Sequence, residues 1–101
     1  MANLISQCFK NQNKKLITFV TGGDPDFETS NKIIQKIIEN NVDIIEIGMP
    51  FSDPMADGPT IQLSSNRALK KNITLEDVFR LSINAKKINK KLPIIFMGYY
   101  N

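Results

Sequence analysis

Apolar positions along this chain keep two different rhythms, and the changes between them divide it into elements. Leu4, Ile5, Cys8 and Phe9 share one face at helical spacing, which predicts a short amphipathic helix packed against the core. Leu16 to Thr21, LITFVT, is a β-branched and aromatic run closed by Gly22-Gly23, and it reads as a strand entering a tight turn. Asp24 and Asp26 flank Pro25, a combination suited to starting a helix, because proline fits a first turn and aspartate can cap it. Phe27, Ile34, Ile37 and Ile38 then recur at helical spacing as far as Asn40-Asn41, where asparagine can take the left-handed backbone that ends a helix. DIIEIG, from Asp43 to Gly48, is a second strand.

Prolines, glycines and aspartates crowd the stretch from Gly48 to Gly58, which leaves little room for regular structure and marks a loop of functional interest. Pro59 opens a short helix running to about Lys70. Thr74 with Asp77 resembles a capping box, and Leu75, Val78, Leu81, Ala85 and Ile88 form the apolar stripe of the helix behind it. A third strand, PIIFMG, begins at Pro93. Strands separated by helices imply parallel pairing, so the expected class is α/β. There is no internal repeat and no linker, and residues 1–101 read as a single domain. That domain is expected to be incomplete, since the chain stops just after a strand whose following helix has not begun.

Composition excludes several classes of function. With 42% hydrophobic and 23% charged residues the chain is that of a globular protein rather than a disordered one. The net charge of +3 comes from lysine doublets, Lys14-Lys15, Lys70-Lys71, Lys86-Lys87 and Lys90-Lys91, expected near helix ends where they complement the dipole. No continuous basic stripe with interleaved aromatics points to nucleic acid. Cys8 is alone and histidine is absent, so an internal disulfide, a histidine metal site and Ser/His or Cys/His catalysis are excluded, and no metal is expected. The first residues lack a basic start followed by an apolar core and cleavage site, and no apolar run approaches the ~20 residues that span a bilayer. A cytoplasmic location is expected.

Chemistry must then rest on carboxylates, lysines, tyrosines or hydroxyls. Alternation in the second strand places Ile44, Glu46 and Gly48 on one face and Ile45 and Ile47 on the other. A carboxylate among apolar neighbours is costly to bury charged, and the usual relief, a raised pKa, suits it to general acid/base work. The alternative is a structural ion pair or a solvent-facing edge. Asp57, in MADGP, could equally be a helix cap or a turn aspartate, as could Asp53 before Pro54. Even so, two carboxylates at the exit of a parallel strand and in the loop beyond it lie where α/β barrels keep their active sites.

Ile45-Glu46-Ile47-Gly48, Phe51-Ser52-Asp53-Pro54 and Ala56-Asp57-Gly58 together resemble the signature of tryptophan synthase alpha subunits. The resemblance extends through Phe19-Val20-Thr21, Gly23-Asp24-Pro25, Pro59-Thr60-Ile61-Gln62 and Arg67-Ala68 to Pro93-Ile94 and Gly98-Tyr99-Tyr100-Asn101, so it covers nearly all of the chain. It implies the first three strand-helix units of a TIM (β/α)8 barrel with an extra amino-terminal helix. It also implies a lyase of tryptophan biosynthesis that cleaves indole-3-glycerol phosphate to indole and glyceraldehyde 3-phosphate by a retro-aldol reaction.

By the same resemblance Glu46 and Asp57 are the catalytic pair, Glu46 moving protons and Asp57 accepting the indole N–H. Phe19, Ile61, Met97 and Tyr99 surround the indole, although apolar strand residues such as Phe19 and Met97 could equally be plain core. The family's alpha subunit needs no cofactor and docks on a beta subunit that carries pyridoxal phosphate, two alpha with two beta chains, and passes it indole for condensation with L-serine. Pro50, Asp53, Pro54 and Asn101 resemble the surface used for that contact.

A whole barrel needs eight strands and about 250 residues. The chain is therefore expected to be an amino-terminal fragment, lacking the phosphate site and lid and inactive alone. Gly22-Gly23 is a turn and not a phosphate loop, because no lysine and hydroxyl residue follow it. Two other readings remain open at this point. One is a non-catalytic module that binds and activates a beta partner; the other is an unrelated phosphate-handling barrel or flavodoxin-like domain with a coincidental acidic loop.

Overall fold

A computed structural model describes residues 3–53 and 56–99. The elements run in the order α1 (Leu4–Cys8), β1 (Ile17–Thr21), α2 (Phe27–Glu39), β2 (Ile44–Gly48), α3 (Pro59–Lys70), α4 (Leu75–Ile88) and β3 (Ile94–Met97). The three strands form one parallel sheet in the order β1-β2-β3, with Phe19 opposite Glu46 and Glu46 opposite Ile95.

Pairing and alternation together fix what each face of the sheet carries. Val20, Ile45, Ile47 and Ile94 point toward the helices and pack with Ile34 and Ile38 of α2 and Val78, Leu81 and Ala85 of α4. Ile45 and Ile47 are wholly buried, and each isoleucine so placed stabilises the fold by ~1.5–3 kcal/mol. The opposite face carries Phe19, Glu46 and Ile95 side by side, with Thr21, Gly48 and Met97 in the next row toward the strand ends.

Local chemistry sets the helix boundaries. Asp26 caps α2, its carboxylate accepting from the Thr29 amide at 2.8 Å, and Asn41 leaves the helix with φ of 63°. Pro25 precedes this cap and does not occupy the first turn as the sequence suggested. Thr74 and Asp77 complete a reciprocal capping box at the head of α4. Arg80 of α4 lies 4.6 Å from the ring centre of Phe27, and Asn84 donates to Asn31 at 3.2 Å, so α4 and α2 are tied across their flank. Gly23 has φ of +84°, and a side chain there would meet Ile73. Its amide donates to Ser30 Oγ at 2.9 Å, in keeping with a turn rather than an anion cradle.

Three expectations about packing need correction. The α1 helix forms but has no fully buried residue: Leu4 and Cys8 are half-buried, Ile5 and Phe9 are exposed, and Cys8 approaches the Asp43 carbonyl at 3.8 Å. Leu75 and Ile88 stay exposed at the two ends of α4, and only Val78, Leu81 and Ala85 between them reach the core. Lys70, Lys86 and Lys87 do fall in last turns, whereas Lys14-Lys15 lie in the loop before β1, where Lys15 bonds Asn11. No helix among the described residues is long and apolar enough to cross a membrane.

Candidate active site at the strand ends

The residues singled out for chemistry gather at the carboxyl end of the sheet. Glu46 is half-buried on β2, the central strand, and its lateral neighbours Phe19 and Ile95 are uncharged. The ion pairs among the described residues are Lys36–Glu39, Arg67–Asp24 and Arg80–Asp77, and none involves Glu46. Glu46 thus lies on the central strand and in no ion pair among the described residues.

One row further along, glycine replaces a side chain. A Cβ on Gly48 would come within 2.6 Å of Phe19 Cζ, so the ring of Phe19 occupies the space that a larger residue would claim. Beyond the strand the ladder continues for one more bond, from the Met49 amide to the Met97 carbonyl at 2.7 Å, before the chain turns away.

Asp57 stands just before α3, but it does not cap that helix. Gly58 holds the cap position with no side-chain bond, and Pro59 follows at the first turn. The Asp57 carbonyl accepts from Gln62 Nε2 at 2.8 Å, which leaves the carboxylate outside the helix's own hydrogen bonding. Tyr99 reaches across from the end of β3: its hydroxyl accepts from the Ala56 amide at 3.0 Å, and its ring stacks on Phe51. Partial burial pushes the Tyr99 phenol above its ordinary pKa, and the nearby Asp57 carboxylate adds to the shift.

A cleft of ≈240 Å³ joins these features, and its wall includes Asp57 and all four residues expected around an indole: Phe19, Ile61, Met97 and Tyr99. Phe19 and Met97 are 37% and 47% exposed on the face of the sheet that carries Glu46. Glu46 is not in that wall; it lies one row deeper in the sheet beside Phe19. A larger groove of ≈460 Å³ runs along the open flank of β1 and α2 between Leu16, Ile33 and Ile37, but no carboxylate lines it. The smaller cleft is the candidate site because it alone of the two joins an apolar slot to a carboxylate.

Thr21, Met49 and Ser65 also line the cleft and were not anticipated. Thr21 could have been found, since it shares strand parity with Phe19 and ends β1. Pro50 is half-buried and Asp53 exposed on the loop leaving β2, while Pro54 and Asn101 lie outside the described residues. Among the described residues no group of three acidic, cysteine or histidine side chains is placed to hold a metal ion.

The family model for the tryptophan synthase alpha chain matches residues 5–101. The chain belongs to that family. It is 52% identical over 93 residues to the tryptophan synthase alpha chain of Nitrosomonas europaea, covering 91% of this chain and 34% of the relative. With that of Geotalea uraniireducens it is 48% identical over 101 residues, covering 100% and 38%. Among solved structures, tryptophan synthase subunit alpha from Legionella pneumophila superposes with a TM-score of 0.92 at 35% identity over 98% of this chain and 39% of that one. The tryptophan synthase a2b2 complex from Pyrococcus furiosus contains a chain matching with a TM-score of 0.77 at 39% identity over 86% and 35%. The chain thus spans little more than a third of the length of its alpha chain relatives, and its three strands are part of their barrel.

Proposed function

We propose that this chain carries the proton-transfer half of a lyase site that releases indole from indole-3-glycerol phosphate. The observation that carries the reading is the convergence of Asp57 with Phe19, Ile61, Met97 and Tyr99 on one cleft, beside a half-buried glutamate on the central strand. An apolar slot suits a flat indole ring, and a carboxylate in its wall suits the ring's single N–H.

Cleavage begins with a proton added at the indole carbon that bears the side chain, which leaves positive charge on the ring nitrogen. Loss of the proton from the adjacent side-chain hydroxyl forms the aldehyde of glyceraldehyde 3-phosphate as the carbon–carbon bond breaks. The bonding pair returns to the ring and restores its aromaticity. Glu46 gives and takes these protons; Asp57 accepts the N–H bond and stabilises the charge as it develops. None of these steps calls for a cofactor from this chain.

Indole then passes to a beta subunit, which holds pyridoxal phosphate and condenses indole with L-serine, in an assembly of two alpha and two beta chains. Pro50 and Asp53, with Pro54 and Asn101, form this chain's side of that contact. Residues 1–101 act as one incomplete domain of a cytoplasmic enzyme and release no indole alone, since phosphate recognition belongs to later barrel strands.

The test is a chimera in which this chain replaces its matching segment in the Geotalea uraniireducens alpha chain. The chimera is expected to release indole, Glu46→Gln to lower its kcat by about a hundredfold or more, and the isolated chain to show no turnover. An active Glu46→Gln chimera would remove Glu46 from the mechanism.

A further inference from the structure

We propose that the ion pair between Asp24 and Arg67 is a positioning clamp, which seats α3 across the end of β1 and thereby places Asp57 and Ile61 at the cleft. The proposal rests on the cleft being the active site, and it concerns residues to which the proposed chemistry gives no role.

The α3 helix is weakly held by other means. Its cap, Gly58, contributes no side-chain bond, and no acidic residue stands in its first turn. Its buried residues are Ser64, Ser65 and Ala68, so its seat offers little apolar surface, and polar ties must decide where it lies. Among the described residues two such ties stand one helical turn apart. Ser64 Oγ lies 2.6 Å from Thr21 Oγ1, at the last residue of β1. Arg67 donates twice to Asp24, Nε to Oδ1 at 2.7 Å and Nη2 to Oδ2 at 3.0 Å.

A paired fork of this kind fixes orientation as well as distance, which a single point charge cannot do. The receiving end is rigid. The Asp24 amide donates to the Thr21 carbonyl at 3.3 Å, the preceding Gly23 amide is bonded to Ser30, and the Asp24 side chain is only 18% exposed. Ile61, one turn before Ser64 on the same side of α3, lines the cleft together with Ser65 of the same helix. A shift of α3 at Arg67 therefore moves Ile61, and with it Asp57 just ahead of the helix. Arg67 itself is about half exposed, so the pair adds little to overall stability, and its effect should fall on placement.

The experiment uses the same chimera with Arg67→Gln, Asp24→Asn, the double variant and Arg67→Lys, and reads amide hydrogen exchange, kcat and Tm together. Arg67→Gln is expected to speed exchange at residues 62–65 and to lower kcat, each by about tenfold, with Tm nearly unchanged. The double variant should be no worse than either single change, because one interaction is being removed, and Arg67→Lys should fall between. Unchanged exchange at residues 62–65 in Arg67→Gln overturns the clamp, as do effects that multiply in the double variant or a kcat loss that only follows a fall in Tm. Arg67→Lys decides the matter by the same exchange readout if the neutral variants do not fold. Faster exchange in a chimera that releases no indole would support the clamp while defeating the proposed reaction; normal exchange with full activity would do the reverse.

Discussion

The ring of Phe51 lies nearly flat against that of Tyr99, their centres 4.9 Å apart and their planes within 9° of parallel. Phe51 belongs to the loop that leaves β2, and Tyr99 to the chain leaving β3. The same tyrosine hydroxyl takes the Ala56 amide at 3.0 Å, so one side chain holds the Asp57 loop at two points, by its face and by its tip.

Tyr99→Phe should therefore separate the two holds. It keeps the stack but leaves the Ala56 amide without its acceptor, and the expected result is a fall in kcat/KM of about tenfold for indole release by the chimera. Tyr99→Ala removes both holds and a wall of the cleft and should cost more. Equal activity of Tyr99→Phe and the parent would show that the amide bond does not position Asp57.

Gly48→Ala tests the close approach of Phe19. The added Cβ would sit 2.6 Å from Phe19 Cζ and 2.9 Å from Cε2, a clash relieved only if the ring moves. Such overpacking should destabilise the chimera by ~1–3 kcal/mol in a urea titration. Adding Phe19→Leu, which withdraws the ring, should return most of that loss. A Gly48→Ala variant of parental stability would mean that Phe19 swings aside without cost.

Most of the fold was legible because each boundary carries its own local chemistry: the Asp26 cap, the Thr74/Asp77 box and the left-handed Asn41 all lie where sequence placed them. Strand parity and the density of turn residues brought Glu46 and Asp57 to notice, but their roles came only from the family resemblance. What could not be read was where elements meet. Thr21 and Ser64 stand 43 positions apart and carry no pattern that links them, and the Asp24–Arg67 pair is equally remote. Burial at helix ends failed for a related reason, since Leu75 and Ile88 have the right spacing but lie beyond the edge of what the sheet covers.

The helix caps predict how the protein responds to acid. The Thr29 amide and hydroxyl hold the Asp26 carboxyl below its ordinary pKa, and the Thr74 amide chiefly does the same for Asp77. Because the folded values lie below the unfolded ones, both groups add stability above the ordinary carboxylate pKa near 3.8, and that contribution is lost as pH falls through the folded values. Asp77→Asn in the chimera should flatten the acid limb of stability measured by circular dichroism, and Thr74→Ala should cost about 1 kcal/mol at neutral pH. An acid limb unchanged by Asp77→Asn would show that the box does not contribute through its charge.

Ser64 makes the sharpest test of the seat beneath α3. Its hydroxyl reaches both the Ile61 carbonyl at 2.8 Å and Thr21 Oγ1 at 2.6 Å, and either hydroxyl of that second contact can be the donor. Ser64→Ala would leave the buried Thr21 hydroxyl without its partner and should destabilise the chimera by ~1–3 kcal/mol. Thr21→Val alone removes one partner but leaves Ser64 within reach of the Ile61 carbonyl, and it should cost less. Thr21→Val with Ser64→Ala removes both partners and should be milder than Ser64→Ala alone, since the penalty arises from an orphaned group rather than from a lost bond. If the double variant were instead the sum of the two single losses in urea unfolding, Thr21 and Ser64 would be acting independently, and the contact between them would contribute nothing to holding α3 against β1.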